Sequence, residues 1–95
     1  MGGRSKGTKY RIEYTTEAKK QLDDLLKKND KSFAKRVKKA IDSIGNDPKI
    51  GKALKGRFKG CLRHRFGVYR IVYRRDNPEL IVQILTIEHR KSVYR

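Results

Sequence analysis

The first regular pattern in the chain is Tyr10-Arg-Ile-Glu-Tyr14, where apolar and polar side chains alternate. A period of two predicts a short, half-buried strand. Thr15 or Thr16 can then cap a helix, with Glu17 in the first turn, where the backbone dipole favours an anion. Ala18, Leu22, Leu25 and Leu26 recur at helical spacing and give that helix one apolar stripe, which ends across residues 27–30. A second helix is predicted from Lys31 or Ser32. Its apolar positions Phe33, Val37, Ala40, Ile41 and Ile44 fall on one face, with Lys31, Lys35, Arg36, Lys38 and Lys39 on the other. Gly45 is placed to cap its C-terminus, and Pro48 follows shortly after. Two amphipathic helices with so short a linker form an antiparallel hairpin.

From Ile50 to Gly60 the periodicity disappears. Lys52, Lys55, Arg57 and Lys59 alternate there with Gly51, Gly56 and Gly60, which predicts a basic loop. Alternation returns at Cys61–Phe66, breaks at Gly67-Val68, resumes over Tyr69–Arg74, and turns at Asp76-Asn77-Pro78 before the β-rich run Leu80–Ile87. Three strands with two short connections form an antiparallel meander. The expected fold is α+β: an antiparallel twisted sheet, made of the N-terminal strand plus the three-stranded C-terminal meander, with both N-terminal helices packed on one face. Residues 1–8, rich in Gly, Ser and Lys, are expected to be a flexible basic arm, and residues 9–95 a single domain.

Composition sharpens this picture. The 95 residues carry 26 Lys and Arg against 10 Asp and Glu, a formal charge of +16, which points to a polyanionic partner. Cys61 is the only cysteine, so internal disulfides and zinc sites built on two or more thiolates are excluded. No apolar run approaches the ~18 residues of a bilayer span, and the first residues lack the apolar core of a secretion signal. A cytoplasmic protein is expected. Beyond Asp47 the only acidic residues are Asp76, Glu79 and Glu88, a poor set for a two-carboxylate glycosidase or a magnesium-dependent nuclease.

Strand parity then singles out candidate chemistry. Arg63 and Arg65 point to one face of their strand and Leu62, His64 and Phe66 to the other; on the next strand Arg70 opposes Tyr69, Ile71 and Tyr73. If the apolar sets meet the helices, Arg63, Arg65 and Arg70 converge on the open face. Guanidinium groups fork onto two oxygens at once, so such a patch is suited to a phosphate; the plainer alternative is a solvated strand face. His64 has core parity. His89, after the final strand, is the better placed histidine for acid–base work. Tyr94 is a candidate proton acceptor, because nearby arginines favour a phenolate, or else an aromatic tucked against the sheet. Lys52, Lys55, Arg57 and Lys59 make a loop that either contacts the backbone of RNA or DNA or is merely solvated. No metal site and no cofactor is expected.

Three strings carry a resemblance: Ala53-Leu-Lys-Gly56, then Arg63-His-Arg-Phe-Gly-Val-Tyr-Arg-Ile-Val-Tyr73, then His89-Arg-Lys-Ser-Val-Tyr-Arg95. Together they resemble the RelE/ParE toxin superfamily across nearly the whole chain. The resemblance implies a toxin of a toxin–antitoxin module, neutralised by a RelB-like antitoxin that masks its site. In the RelE branch it implies an endoribonuclease that cuts mRNA in the ribosomal A site; in the ParE branch it implies a DNA gyrase inhibitor without the catalytic set. Carried over by position, Arg63 and Arg65 match the basic pair before the turn and Arg70 the arginine that steadies the phosphate. Tyr94 matches the C-terminal tyrosine, Arg90 falls near a further basic position, and Lys52 and Lys55 match loop residues that grip RNA. The best-studied branch has lysines where this chain has Arg63 and Arg65, and lysine can transfer a proton where arginine cannot. The general acid therefore lies among His89, Glu88 and Arg90. The implied reaction is metal-independent: the ribose 2′-hydroxyl attacks the adjacent phosphate, leaving a 2′,3′-cyclic phosphate and a free 5′-hydroxyl. A non-catalytic basic binding protein of the same fold is the other alternative.

Overall fold

The computed structural model describes residues 9–76 and 78–89. The expected N-terminal arm, residues 1–8, lies outside them. The elements follow in the order β1 (Arg11–Tyr14), α1 (Thr16–Lys28), α2 (Lys31–Asn46), β2 (Lys52–Ala53), β3 (Leu62–Phe66), β4 (Tyr69–Asp76) and β5 (Ile81–His89). Short 3-10 turns at Pro48–Ile50 and Gly56–Phe58 flank β2.

Local chemistry fixes the helix ends. Thr15 is the cap of α1, its hydroxyl accepting from the Ala18 N–H at 3.1 Å. Asp30 caps α2 through the Phe33 N–H at 3.0 Å. Each cap satisfies one of the donors that a helix start leaves unpaired. The second helix runs past Gly45 to Asn46 and stops at Asp47, whose backbone has left the helical region, as a following proline favours. Pro48 sets that end, where the sequence pattern points to Gly45. The Gly45 carbonyl accepts instead from the Tyr10 N–H at 2.8 Å, tying the entry of β1 to the end of α2.

The two helices pack on one sheet face as expected, but the sheet is mixed and five-stranded, in the order β1-β5-β4-β3-β2. Two differences from the expected four-stranded antiparallel sheet account for this. The first strand lies parallel to β5, with Ile12 beside Val82 and Tyr14 beside Ile84. Alternation reveals that a strand exists but not which neighbour it takes or in which direction. The second is β2, two residues inside the supposed loop, pairing Lys52 with Arg63 and Ala53 with Leu62. A two-residue strand is too short to show a period.

The core lies between sheet and helices. Phe33, Val37, Ile41 and Ile44 of α2 and Ala18 of α1 meet Phe66, Ile71, Tyr73, Val82, Ile84 and Ile87. Burying one such side chain contributes roughly 1.5–3 kcal/mol relative to leaving it in water. Beyond Tyr14 the edge of β5 loses its strand partner, and α1 covers it. Thr15 donates from its hydroxyl to the Leu85 carbonyl at 2.8 Å, and Gln21 Oε1 accepts from the Ile87 N–H at 2.7 Å.

Candidate functional site

The hairpin β3–β4 builds the site. Its tight turn at Gly67, φ +60°, sets the register. Leu62 faces Tyr73, His64 faces Ile71 and Phe66 faces Tyr69, the side that packs on the helices. The opposite parity holds Arg63, Arg65, Arg70 and Val72. Arg65 and Arg70 are direct cross-strand partners, and Arg63 is paired with Val72. The three guanidiniums expected to converge do share one sheet face.

Neighbouring strands extend that face on both sides. In β5, Glu88 is registered against Arg70, so Arg65, Arg70 and Glu88 form a row across three strands. The Arg70 Nε lies 3.6 Å from Glu88 Oε1, with both side chains largely buried. On the other side β2 sets Lys52 against Arg63. A hollow of about 320 Å³ opens there, lined by Ile50, Lys52, Arg63, His64 and Arg65. Burial pushes the His64 imidazole below its usual range, which favours a neutral ring.

Below the hollow, packing holds the loop in place. Tyr73, fully buried, donates its phenolic proton to the Pro48 carbonyl. Burial raises its pKa, and the phenol stays protonated as the donor this bond requires. Lys55, Arg57 and Lys59 are exposed on the segment between β2 and β3. Arg57 lies over the Phe58 ring, 5.4 Å from its centroid, which orders one of these cations against an aromatic face.

The candidate residues do not all gather in one place. His89 is registered against Tyr69 and meets its ring edge-on at 5.3 Å between centroids. Tyr69 belongs to the helix side, packing on Phe33 and Phe66, so His89 stands on the face opposite the arginines. Glu88, one position earlier, is the residue the sheet delivers to them. Strict alternation from the core residues Val82 and Ile84 would put Glu88 on the helix side; a bulge at Leu85, opposite the Val72–Tyr73 step, turns it to the arginines, so its pairing with Arg70 needs the register. Arg90 and Tyr94 lie outside the described residues. Among the described residues no three His, Cys, Asp or Glu side chains come together as a metal site would require, and no helix is long and apolar enough to cross a membrane.

Known proteins share this fold. The family described as ParE toxin of type II toxin-antitoxin system, parDE, matches residues 12–94. Toxin RelG of Mycobacterium tuberculosis is 33% identical over 87 residues, covering 90% of this chain and 97% of the relative. The crystal structure of the RelBE2 toxin–antitoxin complex from the same organism superposes with a TM-score of 0.70 at 32% identity, over 85% of this chain and 98% of that one. The archaeal RelE–RelB complex of Pyrococcus horikoshii shares the fold at 22% identity and a TM-score of 0.67, over 86% of this chain and 96% of that one. The fold, the arginine-bearing hairpin and these likenesses agree: the chain belongs to the ParE/RelE family, toxins of type II toxin–antitoxin systems.

Proposed function

We propose that this toxin is an endoribonuclease that cleaves mRNA in the ribosomal A site of the cytoplasm, and that a RelB-like antitoxin neutralises it by covering the arginine face. The observation that carries the reading is the cross-strand pairing of Arg65 with Arg70 beside Arg63. Like charges directly opposite each other weaken a sheet. Such a row is favourable when an anion sits on it, and a phosphate that gains negative charge during reaction is a suitable one.

In this reading the 2′-hydroxyl attacks the adjacent phosphorus, the P–O5′ bond breaks, and the products are a 2′,3′-cyclic phosphate and a 5′-hydroxyl. Tyr94 takes or orients the 2′-hydroxyl proton. Arg70, with Arg63 or Arg65, stabilises the phosphorane, each donor worth roughly 3–4 kcal/mol. His89 protonates the leaving 5′-oxygen, turning from its contact with Tyr69 to do so, and Arg90 contributes charge only. Lys52, Lys55, Arg57 and Lys59 hold the flanking backbone. The side chains form a modest acid–base set, so the ribosome supplies substrate positioning. A single deoxyribose at the cleaved position abolishes the reaction, and chelators leave it unchanged.

The test is to induce wild type, Arg70→Ala and Tyr94→Phe in cells and map 5′ ends on translated mRNA. Wild type yields new 5′ ends within codons; Arg70→Ala lowers their yield by about 100-fold or more. The matching family bears the ParE description, so gyrase inhibition is the second reading. Growth arrest with intact mRNA and induced DNA-damage signalling establishes that reading and removes the first.

A further inference from the structure

Arg70 stands in the middle of a charged row, with a guanidinium on one strand beside it and a carboxylate on the other. Its Nε is buried and has no hydrogen-bond partner among the described residues. Glu88 Oε1, at 3.6 Å, is within ion-pair reach but too far for a hydrogen bond. The two side chains keep only 20% and 25% of their exposure, so neither charge is fully hydrated. A buried donor left just out of reach of an acceptor marks an arrangement that is complete only in another state.

We propose that Glu88 is the positioning residue for Arg70. Its carboxylate takes the Nε edge of the guanidinium, which directs the two Nη groups to the scissile phosphate. The 3.6 Å separation closes to hydrogen-bond length when that phosphate binds. Guanidinium has separate edges for two anions, and a carboxylate fixed on one of them sets the direction of the other. The same carboxylate offsets the repulsion between Arg65 and Arg70 in the free protein. It also repels the incoming phosphate, so Glu88 trades affinity for orientation. This role rests on the endoribonuclease reading and gives Glu88 a part other than proton donor.

The two contributions separate in steady-state cleavage of ribosome-bound mRNA by wild type, Glu88→Gln and Glu88→Ala. Gln keeps the acceptor and removes the charge: KM falls about fivefold and kcat stays within about twofold. Ala removes both: KM falls by a similar factor and kcat falls about tenfold or more. Equal collapse of kcat in both variants assigns Glu88 to proton transfer and overturns the proposal, as does unchanged kcat and KM in both. A wild-type protein that leaves translated mRNA intact defeats the endoribonuclease reading, and the pairing is then read from the Arg70 Nε–H signal in nitrogen-15 spectra with saturating inorganic phosphate present. Glu88→Ala shifts that signal and speeds its exchange with water, whereas Glu88→Gln keeps the slow exchange. Identical signals in all three proteins overturn the pairing.

Discussion

A methyl group added at Gly51 would run into the Tyr73 hydroxyl oxygen and meet the Arg63 carbonyl oxygen at 2.9 Å. Neither neighbour can yield easily. Tyr73 is fully buried and holds the Pro48 carbonyl, and the Arg63 carbonyl is backbone of β3. Gly51→Ala should therefore destabilise the fold by about 2 kcal/mol, within the range of overpacked cores, as read from urea denaturation midpoints. The same displacement moves Lys52 and Arg63, the first row of the site, so cleavage of translated mRNA should weaken even where the variant remains folded. An unchanged midpoint would show that the loop has room to shift.

At the scale of elements, the boundary between β1 and α1 performs two tasks with one residue. Thr15 caps the helix and also bonds the Leu85 carbonyl on the stretch of β5 that has no β1 partner. Removing a cap alone costs about 1 kcal/mol, and a lost partner for a buried carbonyl adds a comparable amount. Thr15→Ala should cost about 2 kcal/mol in equilibrium unfolding, whereas Thr15→Ser should recover most of it. Helix periodicity makes α1 and α2 legible from residue spacing alone, because each face repeats over several turns. The meander is legible for a similar reason, since its three strands are long enough to alternate and its turns carry Gly67 and Pro78. Strand β2 has no such signal. The parallel seat of β1 has none either, because its partner is some seventy residues away and parallel pairing leaves no local mark.

At the scale of the molecule, the positive charge falls on two surfaces. The lysines of α1 and α2 cover the outer helix face, while Arg63, Arg65, Arg70 and Lys52 line the far side of the sheet. The arginine face is readable from parity at Arg63, Arg65 and Arg70, although the buried Val72 shares that parity and interrupts the alternation of β4. The exclusion of His89 from it, and the inclusion of Glu88 and Lys52, were not readable, since each depends on which residue lies opposite which. Four phosphate contacts on a single strand imply a slope of about −0.7 each in log affinity against log salt. RNA affinity on the ribosome should then fall by roughly 50-fold between about 50 and about 200 mM salt, and Lys52→Ala should flatten that slope by about 0.7. A slope indifferent to Lys52 would remove this residue from the RNA path.

The position of β5 bears on when the toxin becomes dangerous. It follows every other described strand in the chain, yet in the sheet it lies between β1 and β4. Until it emerges during synthesis, β1 has nothing to pair with and the arginine hairpin lacks both Glu88 and the strand that backs it. Sheet assembly therefore waits on the latest-made strand, and such long-range pairing is slow to form. A nascent toxin still threaded through the ribosome that makes it has its arginines but no surface to hold them. Under the endoribonuclease reading, that interval is a window in which the cell's own translation machinery is spared and an antitoxin can arrive first.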